Sequence, residues 1–193
     1  MIIFDFDKTL IEKDTLFGFY KIVHGNGIIF KIKRLVMLFS AVGYKLKLIN
    51  NNSLKAIGIG LFLKGKTIEQ LTQASIEYAN QLKLNKIHRD VFLKIPKDKR
   101  IIISASPEIY LHQVFPDENI LGTLLSFENN KVVGLKFNCY AEQKWERFKE
   151  KYPNIAIDEV YSDSMTDLPL FKNAKIAHFV TNENQVETLV SLN

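Results

Sequence analysis

Two aspartates stand one residue apart near the start of the chain, directly after an apolar run. Residues 2–10 read Ile-Ile-Phe-Asp-Phe-Asp-Lys-Thr-Leu. Because side chains alternate along an extended strand, Asp5 and Asp7 are predicted to share one side, with Phe6 turned into the core. Two carboxylates at a strand end suit a metal-assisted attack on phosphorus. The pair alone also fits an ordinary turn, because aspartates often close strands.

A second β-branched run, at 100–104, ends in a small hydroxyl residue, Ser104. The residues that follow have the composition of a helix start. Ser106 is predicted to cap that helix and Pro107 to take its first position. Glu108 would then lie at the positive end of the helix dipole. The second segment therefore repeats the strand-end arrangement of the first.

Two further segments supply a lysine and another pair of acids. Lys144 begins a polar, helix-like stretch, while Asp163 and Asp167 follow a strand predicted over 159–162. The carboxyl ends of parallel strands meet at one sheet edge, where α/β folds bind ligands. All four segments are therefore predicted to meet there. Neighbouring lysines stay open as alternatives to Lys144: Lys136, Lys149 and Lys151.

In this order the four segments resemble the four motifs of the haloacid dehalogenase superfamily, specifically its phosphoserine-phosphatase-like branch. The resemblance covers the chain from residue 1 to about residue 180. It implies an α/β fold, with a Rossmann-like core built on a parallel sheet and a helical cap inserted after the first motif. The implied core comprises 1–14 and 96–193, and the implied cap comprises 15–95.

The resemblance also implies a role for each candidate residue. Asp5 is the nucleophile that forms an aspartyl-phosphate, and Asp7 is the general acid and base. Mg²⁺ is held by Asp5, the backbone carbonyl of Asp7 and Asp163, with Asp167 in support. The remaining candidates hold the phosphate group: Thr9, Ser104, Ala105 and Lys144.

Physical chemistry favours the same reaction. A carboxylate that attacks a phosphate dianion meets like charge, so a divalent cation and a lysine are needed to neutralise the site. A covalent intermediate divides a difficult displacement into two easier ones. Asp7 would donate a proton to the leaving alkoxide and then accept one from water. Because a dehalogenase does not need this second acid, a phosphatase is favoured. A catalytically silent phosphate-binding protein stays open as an alternative.

The composition is that of a folded globular protein in a reducing compartment. The 193 residues are 47% hydrophobic and 24% charged, which is ordinary for a soluble domain. The single cysteine, Cys139, excludes an internal disulfide framework. Asp5 and Asp7 interrupt the N-terminal apolar run, so no signal peptide is expected. A cytoplasmic location is the resulting prediction.

Local patterns predict three further elements. Residues 67–70 read Thr-Ile-Glu-Gln, a capping box that begins a helix. A hairpin is predicted over 121–137, with Asn129 and Asn130 at its turn. A closing helix is predicted over 184–192.

The predicted cap is basic and apolar. No acidic residue lies between Asp14 and Glu69. Nine basic residues lie in the same interval: Lys21, Lys31, Lys33, Arg34, Lys45, Lys47, Lys55, Lys64 and Lys66. In one interpretation, this surface steers a small phosphorylated substrate towards the site. In the other, it lies on an anionic membrane surface, which would place the protein at the inner face of the membrane.

The membrane interpretation has some support from resemblance. Residues 14–17 and 161–164 look like the corresponding segments of bacterial phosphatidylglycerophosphate phosphatases. The substrate would then be a phospholipid-like monoester. Nucleic acid is not expected as a partner, because long Ile, Leu and Phe runs suit packing or lipid better than contact with a phosphate backbone.

Overall fold

A seven-stranded mixed sheet forms the centre of the chain in a computed structural model, which describes residues 1–181 and 185–189. The strands are β1 (Ile2–Phe4), β2 (Arg100–Pro107), β3 (Ile120–Glu128), β4 (Lys131–Phe137), β5 (Ile157–Ser162), β6 (Ala174–Val180) and β7 (Val186–Leu189). Their order is β4-β3-β2-β1-β5-β6-β7, so the short β1 is central. The five inner strands are parallel, and the two edge strands pair antiparallel. The predicted α/β class with a parallel sheet is confirmed.

Most of the helical residues lie between β1 and β2. The α-helices are α1 (Leu16–His24), α2 (Ile28–Lys45), α3 (Asn51–Phe62), α4 (Ile68–Ala79), α5 (Lys86–Asp90), α6 (Glu108–Val114), α7 (Glu142–Lys151) and α8 (Leu168–Lys172). The predicted capping box at the start of α4 is confirmed. The Thr67 hydroxyl accepts from the Gln70 amide, and the Gln70 side chain accepts from the Thr67 amide.

The sheet is buried on both faces, which is why its inner strands are almost continuously apolar. Alternate residues of β1 enter different clusters: Ile3 packs with Phe148 and Phe171 of α7 and α8, and Phe4 packs in the cluster that contains Tyr110 of α6. Helices therefore cover both faces and leave the strand ends as the accessible edge.

The hairpin prediction is also confirmed. β3 and β4 pair antiparallel across a two-residue turn formed by Asn129 and Asn130. Their φ angles are 47° and 63°, the left-handed values that a tight type I′ hairpin turn requires. Asparagine adopts this conformation more readily than most residues, because its side chain can hydrogen-bond locally.

The closing helix predicted over 184–192 is wrong where the structure describes it. Val186–Leu189 form β7, which pairs antiparallel with β6 from Val180↔Val186 to Ala177↔Leu189. An open strand edge offers unpaired backbone groups, and the β-branched Val186 and Thr188 favour extended chain, so tertiary pairing decides the conformation. The remainder of the predicted helix lies outside the described residues.

The described contacts do not test the division into cap and core, which stays a prediction. The 3₁₀ helix Phe92–Lys94, inside the predicted cap, places its Phe92 ring edge-on against Phe4 of β1, with 5.1 Å between centroids.

Within residues 1–181 and 185–189, every helix is too short or too polar to traverse a lipid bilayer.

Candidate active site

Strand register brings the first, second and fourth segments to one edge of the sheet. Phe4 of β1 pairs with Ile102 of β2 on one side and with Tyr161 of β5 on the other. Asp5 follows the last residue of β1, and the same register places it level with Ile103 and Ser162. It is therefore close to the next residues of those two segments, Ser104 and Asp163. The Asp5 amide still donates to the Tyr161 carbonyl at 2.9 Å, which holds the end of β1 against β5.

α7 brings Lys144 to the same edge. Its ammonium donates to Asp5 Oδ1 at 2.8 Å and to Asp167 Oδ2 at 2.7 Å, and the Lys144 residue is only 3% exposed. The Ser162 hydroxyl donates to the same Asp167 oxygen at 2.7 Å. The sequence left three other lysines open for this position, and all three are exposed: Lys136, Lys149 and Lys151.

Burial and neighbouring charges shift the pKa values of both Asp5 and Lys144. Burial raises the pKa of Asp5 to about 8; Lys144 opposes this rise, while the carboxylates of Asp167 and Asp7 add to it. Burial alone would lower the pKa of Lys144, but its two carboxylate partners raise it above its ordinary value. Lys144 therefore stays charged.

Asp7 is held in a fixed orientation by groups that the sequence analysis did not identify. Its Oδ1 accepts from the Thr15 amide at 2.8 Å and from the Thr15 hydroxyl at 2.6 Å. Its Oδ2 accepts from the Ser106 hydroxyl at 2.7 Å. Thr15 is fixed in turn by the hydroxyls of Tyr110 and Tyr78, at 2.8 and 2.7 Å. Burial, with a contribution from the charge of Asp14, raises the pKa of Asp7 to about 6.

The predicted helix cap at Ser106 is wrong. β2 runs through Pro107 and α6 begins at Glu108, with no side-chain capping bond. Ser106 instead gives its hydroxyl to Asp7, and the carboxylate of Glu108 accepts from the Gly122 amide and Arg147. Strand alternation was the available signal, since residues two apart on β2 face the same way and Ser104 was already a candidate.

The remaining phosphate-binding candidates all accept hydrogen bonds from nearby protein groups. The Thr9 hydroxyl accepts from the Asp163 amide at 3.1 Å, which joins the first segment to the fourth. The buried Ser104 hydroxyl accepts from the Ser106 amide at 3.1 Å. The Ala105 carbonyl accepts from the Lys55 ammonium of α3 at 3.0 Å. Lys55 is a cationic neighbour of the site that sequence reasoning missed.

The chemistry of the donors fits a magnesium ion. In the part of the chain that the structure describes, no three His, Cys, Asp or Glu side chains form a metal-binding group. Mg²⁺ does not need such a group, because it keeps several waters and takes one or two carboxylates. Asp167 Oδ1 is buried without a hydrogen-bond partner, so this edge keeps an unpaired carboxylate oxygen. Asp5 and Asp163 could supply carboxylate oxygens, and Asp7 its carbonyl oxygen.

The sequence model of the haloacid dehalogenase-like hydrolase family matches residues 2–172. The chain belongs to that family, so the predicted family and Rossmann-like fold are confirmed.

Comparison with individual proteins gives more distant similarities. The chain is 27% identical over 179 residues to protein CicA of Caulobacter vibrioides, covering 86% of this chain and 79% of that protein. It resembles a HAD family hydrolase from Salmonella enterica serovar Typhi with a TM-score of 0.64 and 19% identity, covering 90% of this chain and 59% of that longer chain. A phosphoserine phosphatase solved as a phospho-aspartyl intermediate analogue has a TM-score of 0.60 and 15% identity, over 91% of this chain and 83% of that one.

Proposed function

We propose that the protein is a Mg²⁺-dependent phosphatase that hydrolyses a small phosphorylated substrate through an aspartyl-phosphate on Asp5. The observation that carries this proposal is the buried Lys144 ammonium, shared between Asp5 and Asp167 beside a fixed Asp7. The family supports hydrolysis in general. The phosphoserine phosphatase solved as a phospho-aspartyl analogue has the same fold and supports the covalent route.

Each residue has a distinct task in the proposed reaction. The Asp5 carboxylate attacks phosphorus, and the bond from phosphorus to the leaving oxygen breaks as Asp7 protonates that oxygen. Asp7 then accepts a proton from the water that hydrolyses the aspartyl-phosphate. Lys144, Ser104, Thr9 and Ala105 orient the phosphoryl oxygens. Asp5, Asp163 and the backbone carbonyl of Asp7 would hold Mg²⁺, with Asp167 in support, and the ion would supply positive charge to neutralise the phosphate group.

Removal of the metal tests this proposal. Turnover of p-nitrophenyl phosphate by the purified chain is expected to fall at least ~10³-fold in EDTA, since metal neutralisation of phosphoryl charge contributes several kcal/mol. Excess Mg²⁺ should restore it, and the same chain without chelator is the control. Metal-independent turnover would contradict the proposal. No turnover on a broad panel of phosphomonoesters would favour the silent phosphate-binding alternative.

A second candidate is a lipid phosphate phosphatase at a membrane surface, favoured by the outer surface of α2. Large apolar side chains are exposed there, with Ile29 at 63% and Phe39 at 68%. Lys31 and Arg34 are exposed on the same helix. An exposed apolar face flanked by basic residues is typical of a helix that lies on anionic lipid. If the protein has this second function, it lies in the cytoplasm at the inner face of a membrane.

Vesicle co-sedimentation tests the membrane contact. The chain is expected to bind vesicles containing phosphatidylglycerol and to bind pure phosphatidylcholine vesicles less, because its basic residues attract anionic headgroups. Phe39→Ser should weaken binding roughly 10- to 100-fold, the loss of about one buried apolar side chain. Leu93→Ser, at an exposed apolar residue outside α2, is the matched control. Absent binding, or binding indifferent to lipid charge, would remove this candidate.

A further inference from the structure

A cavity of about 1020 Å³ lies between α1, α2 and α3. Its wall is mostly apolar and includes Phe17, Tyr20, Phe30, Leu38, Ala41 and Leu54. Ligand pockets usually range from about 300 to 1,000 Å³, and a cavity of about 150 Å³ already holds a six-carbon ring. The headgroup of a small phosphorylated metabolite would leave most of this volume unfilled.

The cavity reaches the catalytic edge at one end. Lys55 lines it and also donates to the carbonyl of Ala105, next to Ser104. Asp14 lines it too, and the following residue, Thr15, holds Asp7. Burial lowers the pKa of Lys55, while the charges of Asp7 and Asp14 oppose that shift. A molecule in the cavity therefore has one end beside the site.

The charge of the lining suits an anionic amphiphile. One acid, Asp14, and four cationic groups line the cavity, and the rest of the wall is largely apolar. The cations are Lys21, Lys31, Arg34 and Lys55. A neutral apolar ligand would not need these cations, and a small anion would not need the apolar wall. A molecule with both an anionic head and an apolar chain uses both.

The other end of the cavity lies along α2. Lys31, Arg34, Leu35 and Leu38 all line the cavity and are also exposed to solvent. α2 packs chiefly against α3, and many of its other residues are exposed, so the cavity opens to solvent along this helix. The apolar chain of a bound amphiphile can therefore lie along α2, with its anionic head directed towards Asp5.

We infer that this cavity binds the apolar chain of an amphiphilic phosphomonoester whose phosphate group reacts at Asp5. The inference rests on the proposed phosphatase function and specifies its substrate class. The walls contributed by α1, α2 and α3 remove the chain from water, and Lys55 lies where chain and head meet. Specificity then depends on chain length, because each methylene that enters the cavity strengthens binding.

A series of n-alkyl phosphates from ethyl to decyl, kept below their micelle concentrations, tests the inference without any variant. The value of kcat/KM is expected to rise about 2- to 4-fold per methylene until the cavity is filled, as burial of one methylene predicts. Because these alkyl phosphates are monomeric, the assay measures recognition of the alkyl chain by the cavity and not attachment of the protein to vesicles. A flat dependence on chain length in an enzyme that turns over p-nitrophenyl phosphate would overturn the inference and leave the phosphatase proposal intact.

A matched pair of variants tests whether the dependence of kcat/KM on chain length arises in this cavity. Ala41→Phe places a ring in the cavity and is expected to remove most of the decyl-to-ethyl ratio of kcat/KM. Ala56→Phe makes the same change on the exposed surface of α3, away from the lining, and should keep both that ratio and p-nitrophenyl phosphate turnover. Circular dichroism checks that both variants fold. An unchanged ratio in folded Ala41→Phe would overturn the assignment.

A binding measurement tests chain binding in the cavity independently of the proposed phosphatase reaction. Calorimetric titration of decyl phosphate into Asp5→Asn, which cannot form the covalent intermediate, is expected to show binding at least 10-fold tighter than ethyl phosphate. That result would support the cavity even if no substrate were turned over. Equal affinities for the two alkyl phosphates would overturn the inference even in an active phosphatase.

Discussion

Asp5→Asn is expected to lower kcat for p-nitrophenyl phosphate by about 10⁴–10⁶-fold, the size of effect that follows removal of an enzyme nucleophile. An amide has nearly the shape of the carboxylate but cannot form the acyl phosphate. Lys144 keeps Asp167 as its charged partner, at 2.7 Å, so the fold should survive. Steady-state kinetics at saturating Mg²⁺, with circular dichroism as a check on folding, measure the effect.

Asp117→Asn is the matched control for that experiment. It makes the same change at an acid whose side chain is 81% exposed and whose ion-pair partner, Lys97, lies 3.7 Å away. Its kcat should equal that of the unaltered chain. Retention of activity within about 10-fold in Asp5→Asn would contradict the assignment of the nucleophile, because positioning residues produce losses of that smaller size.

Asp7→Asn is expected to slow turnover of an alkyl phosphate by ~10²–10⁴-fold, the usual contribution of a positioned acid–base group. The single oxygen of asparagine can still accept from Thr15, and its amide nitrogen can donate to the Ser106 hydroxyl, but the side chain cannot exchange a proton. Alkoxide is a poor leaving group and needs that proton, whereas p-nitrophenolate leaves without one. The variant should therefore release p-nitrophenolate in a rapid burst close to one equivalent per enzyme, followed by slow turnover, since water attack still lacks its base.

Stopped-flow absorbance of p-nitrophenolate follows the burst, and steady-state assays with an alkyl phosphate measure the slower rate. Asp117→Asn again serves as the control for loss of one carboxylate. An unchanged rate with the alkyl phosphate would show that another group protonates the leaving oxygen.

The sequence was sufficient to predict the strands and segments whose signals are local. Apolar runs predicted β1 and β2, and strand alternation placed Phe6 in the core, where it packs against Phe115 and Tyr110. Two asparagines predicted the hairpin turn, and the Thr67–Gln70 pattern predicted the start of α4. These features depend on short stretches of chain, which is why they could be read without a structure.

Contacts between distant parts of the chain were not predictable in this way. Thr15 and Ser106 hold opposite oxygens of Asp7, although Ser106 lies 99 residues away from it. Lys55 belongs to a basic stretch whose other members are mostly solvated, and only the packing of α3 brings it to Ala105. β7 was predicted as helix because its strand depends on an edge offered by β6. In each case tertiary packing decides the outcome.

The proposed chemistry depends on phosphate becoming covalently attached to Asp5. Rapid acid quenching during turnover, reduction of the acyl phosphate with borohydride and peptide mass spectrometry would locate that bond. We expect reduction at position 5 alone, in an amount that rises in Asp7→Asn because the intermediate is hydrolysed slowly. Steady turnover with no trapped intermediate, or reduction at another carboxylate, would contradict the account.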